Sequence, residues 1–125
     1  MNDILLLDSN ILVDYLRDRS AAVDYFDNLK GVPAISALTV AELYAGVRDG
    51  KERHLLDQLI PEIDVIAVTA EIAVLGGLFR RKYMKSHRLD VVDAIIAATA
   101  DKEKARLVTL NRKHFPMFDD VITPY

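Results

Sequence analysis

The strongest constraint on this chain is a run of four aliphatic residues, Ile4 to Leu7, that ends abruptly at Asp8. An apolar run of this length predicts a strand buried on both faces, as in a parallel sheet. Ser9 and Asn10 then open a segment of helical period. Because ligands of parallel α/β proteins gather beyond the carboxyl ends of the strands, Asp8 is expected to lie at a functional site.

Short apolar segments alternate with segments of helical period, which predicts parallel strands joined by crossover helices. The predicted strands cover residues 3–7, 33–36, 63–68 and 106–110, with a short fifth strand near 120–122. Two helices are predicted between the first two strands, followed by helices at 38–47, at 53–60 up to Pro61, at 70–86 and at 91–100. We therefore expect an α/β protein, a three-layer α/β/α sandwich with a central parallel sheet of four to five strands.

The helix at 70–86 is predicted to begin after a Thr69 cap, and it contains two adjacent glycines, Gly76 and Gly77. A glycine inside a helix costs about 1 kcal/mol relative to alanine. Close packing against another helix is one reason to keep such residues.

Length and composition exclude several classes of protein. A chain of 125 residues and 14.0 kDa predicts a single domain, 1–125, and 51% hydrophobic with 28% charged residues is typical of an ordered globular protein. The absence of cysteine excludes thiol catalysis and disulfides, and a net charge of −3 argues against a general nucleic-acid coating protein. We find no transmembrane stretch or secretory signal, so we expect a cytoplasmic protein without membrane association.

Three carboxylates have mainly apolar neighbours in the sequence: Asp8, Glu42 and Asp93. Burial of an unpaired carboxylate costs several kcal/mol or forces its protonation. No lysine or arginine lies within a helical turn of Asp8 or Glu42, and Arg88 is the only cation shortly before Asp93. A divalent cation with a preference for oxygen ligands, Mg²⁺ or Mn²⁺, is therefore an economical common partner.

Each acid also has a purely structural interpretation. Thr39 and Glu42 have the spacing of a helix capping box, Asp90 can cap the helix that contains Asp93, and Asp8 can cap the first helix. Both interpretations can hold together, because a helix N-terminus helps to keep a carboxylate ionised.

Polar residues beside the acids form a supporting set that can orient a carboxylate or a bound water. It consists of Ser9, Asn10, Asp90 and Thr109. Asn111 either belongs with them or simply caps a short turn.

Four segments, in this order, resemble the four motifs of PIN domains. They are Asp8–Leu12, Thr39–Leu43, Asp93–Ala98 and Thr109–Asn111 with Phe115. Together they span nearly the whole chain, and the last two are most similar to those of VapC toxins from toxin–antitoxin pairs.

The resemblance implies a Mg²⁺- or Mn²⁺-dependent endoribonuclease that hydrolyses RNA phosphodiester bonds with a metal-activated water. It assigns Asp8, Glu42 and Asp93 to the metal pocket, and Asn111 to the fourth catalytic position. Many PIN domains have aspartate at that position, so the asparagine of this chain favours one tightly held metal ion over two. The resemblance also implies a cognate antitoxin and a homodimer, for which we expect apolar surface on the helices near 38–47 and 51–60.

Positive charge for RNA is densest just before the helix that carries Asp93, and we expect it to contact the phosphate backbone without reading sequence. The predicted RNA-binding residues are Arg80, Arg81, Lys82, Lys85, Arg88 and Arg112. Their expected support comes from Arg48, His87 and Lys113, with Tyr15, Tyr44 or Tyr83 as stacking faces for unpaired bases. The RNA itself, whether tRNA, rRNA or mRNA, is left open.

Two other chemistries fit less well. Cleavage by histidine acid–base catalysis needs two well-placed imidazoles, and His54, His87 and His114 all lie far from Asp8 and Glu42 in the sequence. A haloacid-dehalogenase phosphatase needs an aspartate where this chain has Asn10. The alternative from a different class is a PIN-like module that binds RNA or protein without cutting, and Asn111 is the feature that favours it.

Overall fold

A four-stranded parallel sheet forms the centre of the protein, of which the structure, a computed structural model, describes residues 3–125. The strand order across the sheet is β3-β2-β1-β4. The strands are β1 (Ile4–Leu7), β2 (Val32–Ser36), β3 (Asp64–Ile66) and β4 (Arg106–Val108). The helices are α1 (Ser9–Leu16), α2 (Ser20–Asp27), α3 (Ala37–Gly46), α4 (Lys51–Leu59), α5 (Ala70–His87) and α6 (Val91–Glu103).

Successive residues of β1 point to opposite sides of the sheet, and each side has its own hydrophobic core. Leu5 and Leu7 pack with residues from α1, α3 and α4, whereas Leu6 packs with residues of α6 and with Phe115. Because β1 is central, all three leucines are buried, which explains the uninterrupted apolar run. The expected α/β/α layering is confirmed.

The predicted fifth strand near 120–122 is reduced to one parallel bridge between Val108 and Ile122. The helix predicted to stop at Pro61 ends at Leu59 instead, and Pro61 lies in a 3₁₀ turn, Ile60–Glu62. No helix within residues 3–125 combines the length and apolar character needed to cross a bilayer.

The capping box predicted at Thr39 is wrong. β2 leads directly into α3, and the N-cap of the helix is Ser36, whose hydroxyl accepts a hydrogen bond from the Leu38 N–H at 3.0 Å. Thr39 is consequently a fully buried residue inside the helix, and its Oγ1 has no hydrogen-bond partner. Glu42 is therefore not engaged as a capping residue.

The glycine pair of α5 has two different environments. A Cβ atom at Gly76 would lie 3.1 Å from Cγ1 and 3.2 Å from Cα of Ile95, whereas a Cβ at Gly77 would meet nothing within 4 Å. Close packing of α5 on α6 therefore explains why residue 76 is a glycine, but it does not explain the glycine at position 77. This contact helps to position the start of α6, where Asp93 lies.

We predict opposite effects of alanine at these two neighbouring positions. Gly76→Ala should lower the free energy of unfolding by about 1–2 kcal/mol, because the new methyl group presses on the backbone of α6. Gly77→Ala is the matched control and should raise it by up to about 1 kcal/mol through helix propensity. Urea denaturation measures both, and equal stabilisation by the two substitutions would contradict the packing described here.

Candidate active site

Asp8 lies at the carboxyl end of β1, where it is both a helix cap and a buried acid. Its Oδ1 accepts a hydrogen bond from the Ser9 N–H at 2.9 Å, and its Oδ2 accepts one from the Thr109 hydroxyl at 2.7 Å. Thr109 follows β4, the neighbouring strand, and its Oγ1 accepts the Asn111 N–H at 3.0 Å. With 6% of its surface exposed, Asp8 is held in one orientation by the ends of two strands.

The pKa of Asp8 is raised above its ordinary value. Burial is the main cause, and the repulsion of Asp90 adds to it. The hydrogen bonds from Thr109 and Ser9, together with the nearby His114, oppose the shift. Hydrogen bonds therefore stabilise the ionised form of Asp8, whereas no arginine or lysine of residues 3–125 does so.

Asp90 and Asp93 lie at the N-terminus of α6. Asp90 caps this helix, as predicted, by accepting a hydrogen bond from the Asp93 N–H at 2.8 Å. The Asp93 carboxylate lies 3.1 Å from Nδ1 of His114, which is the last residue of a 3₁₀ turn, Arg112–His114. Burial, followed by the charges of Asp90 and Asp8, raises the pKa of Asp93 to about 6, and His114 opposes this shift.

Glu42 reaches the same region from α3 and belongs to the same group of charges. Its pKa is raised by partial burial and then by the repulsion of Asp8, Asp93 and Asp90, although the residue as a whole is exposed. Glu42 has no side-chain hydrogen bond within the described part of the chain. The structure therefore brings the three sequence-predicted acids together at one edge of the sheet.

The charge of this acidic cluster, which consists of Asp8, Glu42, Asp90 and Asp93, is not balanced by the protein. Among residues 3–125 none of these acids pairs with a lysine or arginine, and His114 is the only cationic group that lowers a pKa here. Hard oxygen donors with excess negative charge suit Mg²⁺ or Mn²⁺.

The side chains in this region, as they lie, do not form a closed metal cage. No three histidine or acidic side chains between residues 3 and 125 converge closely enough to hold an ion together. Mg²⁺ commonly uses only one or two carboxylates and keeps several waters, so the donor chemistry fits this open arrangement. A cavity of about 490 Å³ lies elsewhere and is lined mainly by residues of α1, α2 and α4.

The supporting residues have different roles in the structure. Ser9 acts through its backbone N–H, whereas the Thr109 side chain contacts Asp8 directly. The Asn10 Oδ1 atom is buried without a hydrogen-bond partner. Asn111 precedes the 3₁₀ turn, but its side chain caps nothing and the residue is exposed, so the amide is free to face a ligand.

The predicted basic residues lie on the last two turns of α5 and on the 3₁₀ turn. None of them forms an ion pair with an acid in the described region. None of them is among the groups that shift the pKa values of the acidic cluster. Arg112 does form a hydrogen bond, which its Nη2 donates to the carbonyl oxygen of Asp119 at 3.5 Å. Apart from the partly buried Arg80, these residues are exposed and form a basic surface.

All three suggested stacking tyrosines already have partners, and the Tyr83 ring lies edge-on to that of His87 with 5.9 Å between centroids. The Tyr15 ring packs on Phe26 with 4.5 Å between centroids, and the Tyr44 hydroxyl donates to Asp57 at 2.6 Å. The apolar surface expected on α4 is absent, because its leucines pack into the core. On α3 the exposed residues other than Glu42 are small, including Ala41 and Ala45.

His114 is the one residue at this edge that sequence reasoning dismissed. It is far in the sequence from each acid of the cluster, but Phe115 is buried beside it and anchors the 3₁₀ turn against the sheet. A polar residue next to a buried aromatic, just beyond a strand end, is the signal that could have identified it.

We predict that Asp93→Asn stabilises the metal-free protein at neutral pH. The raised pKa means that the folded state binds this proton more tightly, so the free energy of unfolding should fall as pH rises from about 4 to about 6. Asparagine removes both the cost of burying the charge and the repulsion, and should add about 1–2 kcal/mol at pH 7 and nothing near pH 4. Thermal unfolding in EDTA measures this.

Asp24→Asn, on the exposed side of α2, is the matched control and should change stability by less than about 0.5 kcal/mol at any pH. Destabilisation by Asp93→Asn that is the same at pH 4 and pH 7 would contradict the proposed repulsion.

Comparison with known proteins identifies the family. The model of the PIN domain family matches residues 5–121. Ribonuclease VapC19 of Mycobacterium tuberculosis is 42% identical over 125 residues, which cover 96% of this chain and 98% of the relative.

Solved structures agree with this assignment. A toxin–antitoxin complex from Klebsiella pneumoniae contains a chain with a TM-score of 0.83 and 29% identity, covering 97% of this chain and 98% of that one. VapBC2 of Rickettsia felis, solved with a DNA fragment from its promoter, gives a TM-score of 0.79 at 28% identity, with 95% and 96% of the two chains covered. The chain therefore belongs to the PIN domain family and, within it, to the VapC proteins.

Proposed function

We propose that this protein is a metal-dependent endoribonuclease that acts in the cytoplasm as the toxin of a type II toxin–antitoxin pair. The observation that carries the proposal is the acidic cluster, in which burial and then mutual repulsion raise the pKa of Asp8, Glu42 and Asp93, with no arginine or lysine of residues 3–125 paired to them. Such a cluster destabilises the fold, and a function that requires a cation explains why it is there.

The relatives support this proposal. VapC19 of M. tuberculosis bears the name ribonuclease, and the similar solved structures are toxin–antitoxin complexes. We therefore expect RNA as the substrate and a cognate antitoxin as a protein partner. A homodimer is a further proposal, and the exposed Ala41 and Ala45 of α3 favour it because small residues allow a second helix to approach closely.

Asp8, Glu42 and Asp93 are the residues that would hold Mg²⁺ or Mn²⁺. When bound, such a cation activates a water for attack and offsets the charge on the phosphodiester oxygens. Asp8 is kept in place by Thr109 and Ser9, which leaves its remaining lone pairs available. The exposed amide of Asn111 is the group that would orient the water or the phosphate without adding charge.

A second candidate function is a PIN-like module that binds RNA or protein without cutting. Asn111, which replaces an acid, and the absence of a preassembled group of three ligands in residues 3–125 favour it. The two functions differ in whether metal binding leads to cleavage.

We predict RNA cleavage that depends on both metal and acids. Total tRNA and rRNA should be cut with Mn²⁺ or Mg²⁺, and not in EDTA. Asp8→Asn and Asp93→Asn should each reduce the rate by at least about 100-fold, because a neutral amide is a poor ligand for a hard divalent cation. Gel electrophoresis of the RNA measures the rates, and calorimetry with Mn²⁺ measures binding.

The substitution Asp24→Asn again serves as the matched control and should leave cleavage unchanged. Cleavage that is equal in EDTA, or equal in Asp93→Asn, would contradict the mechanism. Mn²⁺ binding without any cleavage would instead favour the module that does not cut.

We predict that the basic surface of α5 supplies the salt-dependent part of RNA binding. Arg81→Ala with Lys85→Ala, measured in an Asp93→Asn background, should weaken binding of single-stranded RNA about 10-fold and lower the slope of log K against log salt by about 1.4. The control pair Lys30→Ala with Lys51→Ala removes the same charge from other exposed positions. Fluorescence anisotropy measures both, and an equal loss in the control would show that only net charge matters.

A further inference from the structure

The segment that follows β4 contributes a hydrogen-bonding group to each of two acids. The Thr109 hydroxyl donates to Oδ2 of Asp8 at 2.7 Å, and five residues later His114 Nδ1 lies 3.1 Å from Oδ2 of Asp93. Glu42 has no comparable contact within residues 3–125. One short stretch of chain thus touches both Asp8 and Asp93.

The His114 contact can be assigned a direction. An ionised carboxylate can only accept hydrogen bonds, so Nδ1 must carry the proton and donate it whenever Asp93 is ionised. The side chain of His114 is 51% exposed, whereas that of Asp93 is 20% exposed. A ring with so much exposed surface contributes little to the hydrophobic core, so its hydrogen bond with Asp93 is its main interaction within the protein.

We infer that His114 is a positioning residue for Asp93, and this inference rests on the proposed metal-dependent function. By donating from Nδ1, the imidazole restricts rotation of the Asp93 carboxylate and occupies one lone pair of Oδ2. The remaining oxygen is then presented in a defined orientation to whatever the acidic cluster binds. Hydrogen bonds of this kind to a ligating side chain commonly change metal affinity by 10–100-fold.

The decisive experiment compares Mn²⁺ affinity at pH 8.0 by calorimetry in the wild-type protein and three variants. We expect His114→Ala to bind about 10-fold more weakly. His114→Asn should recover most of that loss, since its amide nitrogen replaces Nδ1, whereas His114→Gln should not, since its amide nitrogen replaces Nε2.

Two controls separate positioning from a general effect on the fold. His54→Ala removes another exposed histidine, on α4, and should leave Mn²⁺ affinity unchanged. All variants should keep the melting temperature of the metal-free wild type within a few degrees. In metal-free wild type, nitrogen NMR of the ring should show the Nδ1–H tautomer for His114, and Asp93→Asn should shift it towards Nε2–H.

The outcomes are distinct for the inference and for the proposed function. If the wild type binds Mn²⁺ and His114→Ala binds it equally well, His114 does not position Asp93, and the proposed function stands. Recovery by glutamine rather than asparagine would also overturn the inference. If the wild type binds no Mn²⁺ at all, the proposed function is wrong and the inference falls with it.

Discussion

Partly buried carboxylates that repel one another at one edge of a parallel sheet set the terms for the candidate site. Asp8, Glu42, Asp90 and Asp93 reach that edge from three different elements, and each of the three with a raised pKa is affected by at least one of the others. The fold tolerates this cost because hydrophobic packing on both faces of β1 fixes the strand ends independently of the acids. Hydrophobic packing therefore keeps the acids at this edge despite the repulsion between them.

The protein moderates this repulsion with hydrogen bonds and helix N-termini rather than with salt bridges. Asp8 and Asp90 each cap a helix, where the dipole favours negative charge, and Thr109 and His114 contact the two aspartates of the site. An arginine in the cluster would stabilise the acids more strongly, but it would also compete with a bound cation. Donors that leave the negative charge uncompensated are consistent with a site that receives its positive charge from outside.

Much of the fold could be predicted from local sequence because local physical causes determine it. The apolar run before Asp8, the Thr69 cap and the glycine that faces Ile95 each gave a correct expectation. Thr39 shows the limit of this reasoning: its spacing to Glu42 fits a capping box, but the point at which β2 turns into α3 is set by strand register.

The rule that the carboxyl ends of parallel strands lie at one edge was enough to predict that the acids lie at the same edge. The rule does not predict the position of His114, because that position depends on how the buried Phe115 anchors the turn. The most direct test of the account is a crystal structure with Mn²⁺, using anomalous scattering to locate the ion. We predict a peak bound, directly or through one water, to the carboxylates of Asp8, Glu42 and Asp93. A peak at another acidic pair, such as Asp119 and Asp120, with none at this edge of the sheet, would contradict it.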